Sequence, residues 1–173
     1  MSEAAKYSAI ATLRDGRQIE ICALRSDDRD DLIAAVGRAS DQALYRRFFA
    51  AKREFSEKEI TFFLNVDFVN HVALVARVEE GGRAMIVGGG RYIVVQPGKA
   101  EVAFAVVDQY QGQGIGAALM RHLAVIARNA GLEELIAEVL PDNRPMLKVF
   151  EKSGLCVKAN RESGIVHVTL RLF

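Results

Sequence analysis

The length, composition and charge of the chain are those of a soluble globular domain. Its 173 residues are enough to bury a core, with 50% apolar and 26% charged residues. The net charge of +1 gives no global attraction to nucleic acid or to a membrane surface. The start of the chain has no apolar run long enough for a signal peptide, and no segment has the pattern of a membrane span. A cytoplasmic protein is therefore expected.

The first part of the chain predicts strands and two helices. A turn at Asp15-Gly16 separates two short strand-like runs. Ser26 is the predicted N-cap of a first helix, because small polar residues favour that position. The stretch SEKE at 56–59 has the pattern of a capping box, which predicts the start of a second helix.

The second part predicts a meander of strands followed by alternating strands and helices. Turns are predicted at Gly81-Gly82 and Pro97-Gly98. The glycine-rich stretch at 112–116 opens a long helix that stops at Gly131. A strand, a short helix headed by Asn143 and two further strands complete the chain. The predicted fold class is α+β, with about seven strands and about four helices around one mixed, mostly antiparallel sheet.

The stretch QGQGIG at 111–116 joins a buried strand to a helix. Glycine lets backbone N–H groups approach a ligand closely, and the helix N-terminus adds unpaired donors and a partial positive charge. Such a site suits the diphosphate of a nucleotide-like cofactor. A P-loop would need a Lys-Ser/Thr pair after Gly116, and a dinucleotide-binding fingerprint would need a different glycine spacing. The alternative is a tight turn that binds nothing, and three glycines at every second position argue against it.

These residues resemble the Gln/Arg-x-x-Gly-x-Gly/Ala signature of the GNAT superfamily, the acyl-CoA-dependent N-acyltransferases. The resemblance covers roughly residues 18–172. The segments TLRDGRQIEI, ALYRRFF and AEVAFAVV are further similar to the acetyltransferase domain of bacterial Pat-type protein lysine acetyltransferases. That domain is commonly joined to regulatory or acyl-CoA-ligase-like domains, so residues 1–173 are expected to form a single, free-standing GNAT domain.

The resemblance implies acetyl-CoA as the acyl donor and no metal. It implies a sheet that splays apart between the strand before the glycine-rich loop and the strand after its helix. The backbone of Phe104, Ala105 and Val106 would pair with the pantetheine arm there, and Asn143 would reach the same arm. The side chains of Phe104 and Val106 are equally suited to core packing. Backbone N–H groups would hold the diphosphate along the loop of Gln111, Gly112, Gln113, Gly114, Ile115, Gly116 and Ala117.

Acyl transfer to a lysine-type amine needs a base, because an amine with a pKa of about 10.4 is almost fully protonated at neutral pH. Glu101 lies ten residues before Gln111, where Pat-like proteins carry a glutamate that resembles the general base. Glu138 lies five residues before Asn143, where other branches of the superfamily place theirs. Glu101 is ranked first. The alternatives are an exposed strand-end role for Glu101 and a structural pairing of Glu138 with an arginine.

The resemblance departs from the family pattern at Phe150. Many members carry a tyrosine at this position, seven residues after the asparagine, and that tyrosine protonates the departing thiolate. A thiol with a pKa near 8.5 leaves largely as the anion, so the acid is dispensable. Phe150 is interpreted as packing against the coenzyme arm.

The remaining candidates carry weaker signals. The run YRRFF at 45–49 is aromatic and basic, but a lone cluster in a neutral chain does not predict nucleic-acid binding. In the GNAT fold this segment borders the acceptor cleft, so Tyr45 and Phe49 either shape the cleft or pack in the core. Cys22 and Cys156 lie in apolar runs and are interpreted as reduced, packed thiols. The three histidines lack metal-ligand spacing.

Three functions are compatible with these residues. The first is acetylation of a protein lysine, for example on an acyl-CoA synthetase. The second is acetylation of a small amine, such as a polyamine, an aminoglycoside or an amino-acid derivative. The aspartates at 27–31 suit a polyamine, although acidic residues at a helix start commonly serve the helix dipole. The third is a non-catalytic acetyl-CoA sensor. An exposed C-terminal strand makes a homodimer possible, and no nucleic-acid or membrane partner is expected.

Overall fold

The computed structural model describes residues 3–48 and 55–173. One sheet contains eight strands: β1 (Ser8–Thr12), β2 (Gln18–Ala23), β3 (His71–Glu80), β4 (Arg83–Gln96), β5 (Lys99–Val106), β6 (Glu134–Val139), β7 (Cys156–Glu162) and β8 (Ile165–Arg171). The described ranges contain five α-helices: α1 (Arg29–Arg38), α2 (Asp41–Phe48), α3 (Glu57–Leu64), α4 (Ile115–Asn129) and α5 (Arg144–Glu151). The predicted α+β class is confirmed, with one strand and one helix more than predicted.

The sheet is antiparallel except at one central pair of strands. Its order is β1-β2-β3-β4-β5-β6-β8-β7, and β5 and β6 run parallel. In the described chain, three residue pairs join these two strands: Lys99 with Glu134, Ala100 with Leu135, and Glu101 with Ile136. The strands separate beyond Glu101, so the predicted splay is confirmed. Residues 102–106 keep β4 as a partner on one side and face a gap on the other.

Several predicted turns and caps are confirmed because they depend on neighbouring residues alone. Gly81 and Gly82 have φ of 62° and 79° at the β3–β4 turn, a backbone region that favours glycine. Ser56 accepts a hydrogen bond from the backbone N–H of Glu59, and the Glu59 carboxylate accepts one from the backbone N–H of Ser56. This reciprocal pair begins α3 at Glu57.

The start of the first helix was predicted wrongly. Residues Ser26–Asp28 form a 3-10 turn, and α1 begins at Arg29. Ser26 is therefore not the N-cap of α1. The Asp28 carboxylate accepts a hydrogen bond from the backbone N–H of Arg25 at 2.8 Å, which stabilises the 3-10 turn. The helical region also breaks at Ala39, which is extended with ψ of 142°. The N–H of the next residue is held by Asp108 from a distant loop, and α2 follows as a separate helix.

Two helical layers cover opposite faces of the sheet. Successive residues of a strand point to opposite faces. On β4, Gly90 lies against Leu123 of α4, whereas the next residue, Arg91, contacts Phe63 of α3. The buried face of β5 carries Phe104 and therefore packs under α4. Helices α1, α2 and α3 lie on the other face, where they border the candidate site.

Two further expectations are corrected at the C-terminal side of the sheet. The last strand, β8, lies between β6 and β7 and is paired on both sides, so the exposed edge is β7. Cys22 is buried as predicted, but Cys156 is exposed because it begins this edge strand. Within the described ranges, no helix is both long and apolar enough to cross a membrane.

Replacing Gly90 with alanine is expected to destabilise the fold by about 2 kcal/mol, because overpacking a core forces displaced side chains. A Cβ at Gly90 would lie 2.6 Å from the Phe104 ring and 3.1 Å from a Leu123 methyl carbon. Gly89→Ala is the matched control, since its Cβ would meet the Leu74 carbonyl oxygen at 3.5 Å, an ordinary contact. Urea unfolding measures both free energies. Equal stability of the two variants would contradict the packing argument.

Candidate functional site

Two cavities meet at the end of β5, beyond the point where it separates from β6. The helix-side cavity, of about 510 Å³, lies between α1–α3 and the sheet and is lined by Val36, Phe63 and Ala103 among others. The loop-side cavity, of about 420 Å³, lies between the glycine-rich loop and α5 and is lined by Phe104, Gly114 and Asn143 among others. Arg47, Ala105 and Val106 line both cavities. A ligand in one cavity can therefore approach a ligand in the other across β5.

The glycine-rich loop forms one wall of the loop-side cavity. Gly112 and Gly114 have φ of 77° and 99°, and Gly114 is the N-cap residue of α4. The first backbone N–H groups of a helix have no acceptor within that helix. Ile115, Gly116 and Ala117 supply these groups at the cavity wall. The loop therefore presents hydrogen-bond donors and the positive end of the helix dipole to a bound anion.

Neighbouring polar groups hold the loop in this shape. The Gln111 side chain donates to the Val106 carbonyl at 3.1 Å, and the Arg14 guanidinium donates to the Gly112 carbonyl at 3.3 Å. The Gln113 side chain turns away from the cavity and accepts a hydrogen bond from Arg17 at 2.9 Å. Of the predicted loop residues from Gln111 to Ala117, all except Gln113 line the cavity.

Besides Arg47, five cationic side chains line the loop-side cavity, and none of them was predicted from the sequence to do so. They are Arg14, Arg46, Arg144, Lys148 and Lys152. The last three are spaced four residues apart along α5 and its end, so helical spacing could have grouped them on one face. Arg14 and Arg46 come from the β1–β2 turn and from α2, which only the tertiary fold brings together. This concentration of positive charge favours a ligand with several negative charges.

The gap between the strands holds the predicted aromatic and asparagine residues. The Phe104 and Phe150 rings are buried with their centroids 6.1 Å apart. The Asn143 side-chain oxygen accepts the backbone N–H of Met146 at 3.4 Å, so the predicted cap of α5 is confirmed. A crevice of about 40 Å³ in this gap is lined by all three residues and by Glu138.

The two candidate carboxylates lie on the same face of the sheet. Glu101 is paired with Ile136 across the parallel strands, and alternation places Glu138 on that face as well. Ala103, two residues after Glu101, lines the helix-side cavity, so Glu101 lies on the cavity face of β5. Both side chains are exposed. Glu138 is 3.8 Å from the Nδ1 atom of His167, so its described partner is a histidine and not an arginine.

Among the described residues that line the helix-side cavity, the charged ones are Arg47 and Arg91. Burial lowers the pKa of the Arg47 guanidinium, and the nearby Glu101 carboxylate opposes that shift. Burial and the charge of Arg47 lower the pKa of Arg91 to about 9. Arg91 donates to the Phe63 carbonyl at 3.1 Å and to the Nε2 atom of His71 at 2.8 Å. Burial and the charge of Arg91 lower the pKa of His71 to about 4, so this imidazole is a neutral acceptor at pH 7.

The acidic residues near α1 do not line the helix-side cavity. Asp28 forms a buried ion pair with Arg77 of β3, and Asp31 lies 3.7 Å from the same guanidinium. Helix α1 presents Leu32 and Val36 to the cavity instead. The aspartates at 27–31 therefore do not form an acidic wall of this cavity, and they no longer favour a polyamine as the acceptor.

The two predicted substrate residues remain predictions. Tyr45 belongs to α2, but its side chain is outside the described part of the structure. Phe49 lies outside the described residues altogether.

Comparison with known proteins identifies this arrangement. The model of the acetyltransferase (GNAT) family matches residues 39–155. The chain is 33% identical over 138 residues to Acetyltransferase PA5475 of Pseudomonas aeruginosa, which covers 79% of the chain and 74% of that protein. It is 34% identical over 131 residues to Acetyltransferase Pat of Mycolicibacterium smegmatis, covering 73% of the chain and 38% of that relative's length.

A solved structure agrees with the sequence matches. The GNAT domain of S. lividans PAT superposes with a TM-score of 0.86 and 35% identity, over 95% of this chain and 96% of that one. The splayed strands, the glycine-rich loop and the two cavities described above thus occur in a chain whose fold and sequence both match one family.

Proposed function

The chain belongs to the acetyltransferase (GNAT) family, and we propose that it transfers the acetyl group of acetyl-CoA to the side-chain amine of a protein lysine. The observation that carries this proposal is the meeting of the cation-lined loop-side cavity and the largely apolar helix-side cavity at Ala105 and Val106 of β5. Glu101 does not line either cavity, but it lies two residues before the lining residue Ala103 on the same face of β5. The similarity to two proteins named Pat supports a protein as the acceptor. An acyl-CoA synthetase is the proposed kind of acceptor protein.

The residues of the loop-side cavity fit the coenzyme. Backbone N–H groups at the start of α4 would hold the diphosphate of the coenzyme. Arg14 and Lys148, which line the same cavity, would bind the diphosphate and the third phosphate, on the ribose. The backbone of Phe104–Val106 is unpaired toward β6 and would bond the pantetheine arm, as a strand pairs with an extended peptide. Asn143 would reach the arm from the start of α5, and Phe150 would pack beside it.

In the proposed mechanism, Glu101 removes a proton from the acceptor ammonium, directly or through one water. Acetyl-CoA supplies the activated thioester. The amine nitrogen then forms a bond to the acetyl carbonyl carbon, the carbon–sulfur bond breaks as the thiolate leaves, and the nitrogen loses its second proton to solvent to give the neutral amide. Arg47, which lines both cavities, would stabilise the Glu101 carboxylate between turnovers. Phe150 offers no proton, so the thiolate leaves as the anion or takes a proton from solvent.

Replacing Gly114 with alanine is expected to raise the Kd for acetyl-CoA by about tenfold. A φ of 99° is strained for a residue with a Cβ, at roughly 1–2 kcal/mol, so the free loop rearranges and binding must restore its shape. Gly164→Ala is the control, because Gly164 has a similar φ of 77° in the distant β7–β8 hairpin. Isothermal titration of acetyl-CoA measures both. An unchanged Kd for Gly114→Ala would contradict a role of the glycine-rich loop in binding acetyl-CoA.

A small amine is the second candidate acceptor, and the helix-side cavity favours it. Its volume of about 510 Å³ lies in the range that encloses a whole small ligand, which is more than a lysine side chain needs. Because the aspartates at 27–31 do not line this cavity, a polyamine is the least favoured member of this class.

The deciding experiment incubates the protein with acetyl-CoA and a deacetylated cell extract, beside a Glu101→Gln variant and a sample without enzyme. Mass spectrometry measures new acetyl-lysine, and thiol release is followed against a panel of small amines. Acetylation of a few proteins that requires Glu101 would support the protein-lysine proposal. Thiol release with one small amine alone would replace it by the second candidate. Binding of acetyl-CoA without either reaction would indicate a sensor.

A further inference from the structure

The Arg91 guanidinium is a fixed cation that lacks a negatively charged partner among the described residues. Its contacts are the Phe63 carbonyl, the neutral His71 ring and the face of the Phe63 ring, whose centroid is 5.0 Å from Cζ. These contacts orient the group but do not neutralise it. Arg91 is partly buried. A cation partly withdrawn from water without a counter-ion is destabilising, and an anionic ligand would offset that cost.

The position of Arg91 connects it to the reaction centre. Arg91 is the β4 partner of Ala103, and Glu101 lies two residues earlier on the same face of β5. Diagonal neighbours of this kind lie about 7–8 Å apart, with their Cβ atoms somewhat closer. A single ligand with an amine beside Glu101 can therefore place a second group at Arg91.

The charges of the helix-side cavity favour an anionic group at the Arg91 end of such a ligand. The charged residues of the cavity's described lining are Arg47 and Arg91, and the other lining residues are apolar or glycine. The Arg47 charge lies near the Glu101 carboxylate, whereas the described contacts of Arg91 include no anion, so the Arg91 end of the cavity repels a ligand that carries ammonium charge alone. An anionic group on the ligand would reverse the repulsion, because a guanidinium binds a carboxylate through two parallel hydrogen bonds.

We propose that the acceptor carries a carboxylate close to the reactive amine, and that Arg91 binds this carboxylate within the helix-side cavity. That the ligand is an acetyl acceptor rests on the proposed function, but binding of a carboxylate at Arg91 does not depend on turnover. The carboxylate comes either from a free amino acid or from an acidic residue beside the acceptor lysine of a protein. Both sources offer the same chemistry to the guanidinium.

The anion site is tested first by binding, with N-acetylnorleucine and its uncharged amide as probes. Both have an apolar chain that suits the cavity, and they differ in the carboxylate. Calorimetric titration of the purified protein is expected to give a Kd at least about tenfold lower for the acid than for the amide. Equal affinities, or no binding of the acid, would overturn the proposal.

Three variants assign the preference to one side chain. Arg91→Met is expected to abolish the difference between acid and amide, whereas Arg91→Lys keeps the charge and is expected to keep part of it. Arg83→Met is the matched control, because Arg83 is an exposed residue of the same strand outside the cavity. Circular dichroism and thermal melts check that each variant is folded. A preference for the acid that survives in folded Arg91→Met would contradict the assignment.

Turnover then distinguishes the two sources and separates this inference from the proposed function. Thiol release is compared for 6-aminohexanoate and its amide, and for lysine peptides flanked by glutamate or by glutamine. A preference for the free acid indicates an amino-acid acceptor, and a preference for the glutamate peptide indicates a protein acceptor. Turnover without any preference for a carboxylate would overturn the anion site while acetyl transfer stands. Carboxylate binding with no turnover of any amine would overturn acetyl transfer and leave the anion site.

Discussion

Replacing Glu101 with glutamine is expected to lower kcat by about 10²- to 10⁴-fold, the usual contribution of a positioned general base. The glutamine keeps the size of the side chain and cannot accept the amine proton. The Kd for acetyl-CoA should not change, because the loop-side cavity is lined by other residues. Steady-state thiol release and titration of acetyl-CoA measure the two quantities separately.

Glu138→Gln is the matched control for this prediction. Glu138 lies on the same face of the sheet across the gap and is also exposed, but its carboxylate is 3.8 Å from His167. We expect a small effect on kcat. A large loss with Glu138→Gln and a small one with Glu101→Gln would exchange the two roles. Comparable large losses would show that the two carboxylates act together.

Replacing Asp28 with alanine is expected to destabilise the protein by about 3 kcal/mol, because it leaves the Arg77 cation buried. The two side chains are 6% and 11% exposed. The variant also loses the acceptor for the backbone N–H of Arg25, which shapes the turn before α1. Asp31, at 3.7 Å from Arg77 and more exposed, retains part of the pairing.

Asp30→Ala provides the comparison for Asp28→Ala. The Asp30 side chain is 97% exposed and lies 3.8 Å from Arg29, so this surface pair should contribute less than about 0.5 kcal/mol. Urea unfolding of both variants measures the difference. A loss of stability in Asp28→Ala no greater than in Asp30→Ala would mean that water compensates the Arg77 charge.

The parts of the candidate site that lie within one short stretch of chain were predictable. The glycine-rich loop, its helix and the Asn143 cap depend on residues a few positions apart, and the backbone preferences of those residues determine the local geometry. The family signature placed Glu101 and Glu138 on strands. Strand alternation and the parallel pairing of β5 with β6 then placed both on one face.

The amino-acid sequence by itself determined the turns, the helix starts governed by neighbouring side chains, the α+β class and the glycine-rich loop before α4, because each depends largely on local conformational preference. Tertiary structure alone decided the groups that come from distant segments. It placed Arg14 and Arg46 beside the loop, Arg47 beside Arg91, and Asp28 beneath Arg77. It also placed β7, and not the last strand β8, at one edge of the sheet. Charges on separate elements acquire partners only when packing brings those elements together, and no local spacing in the chain encodes that approach.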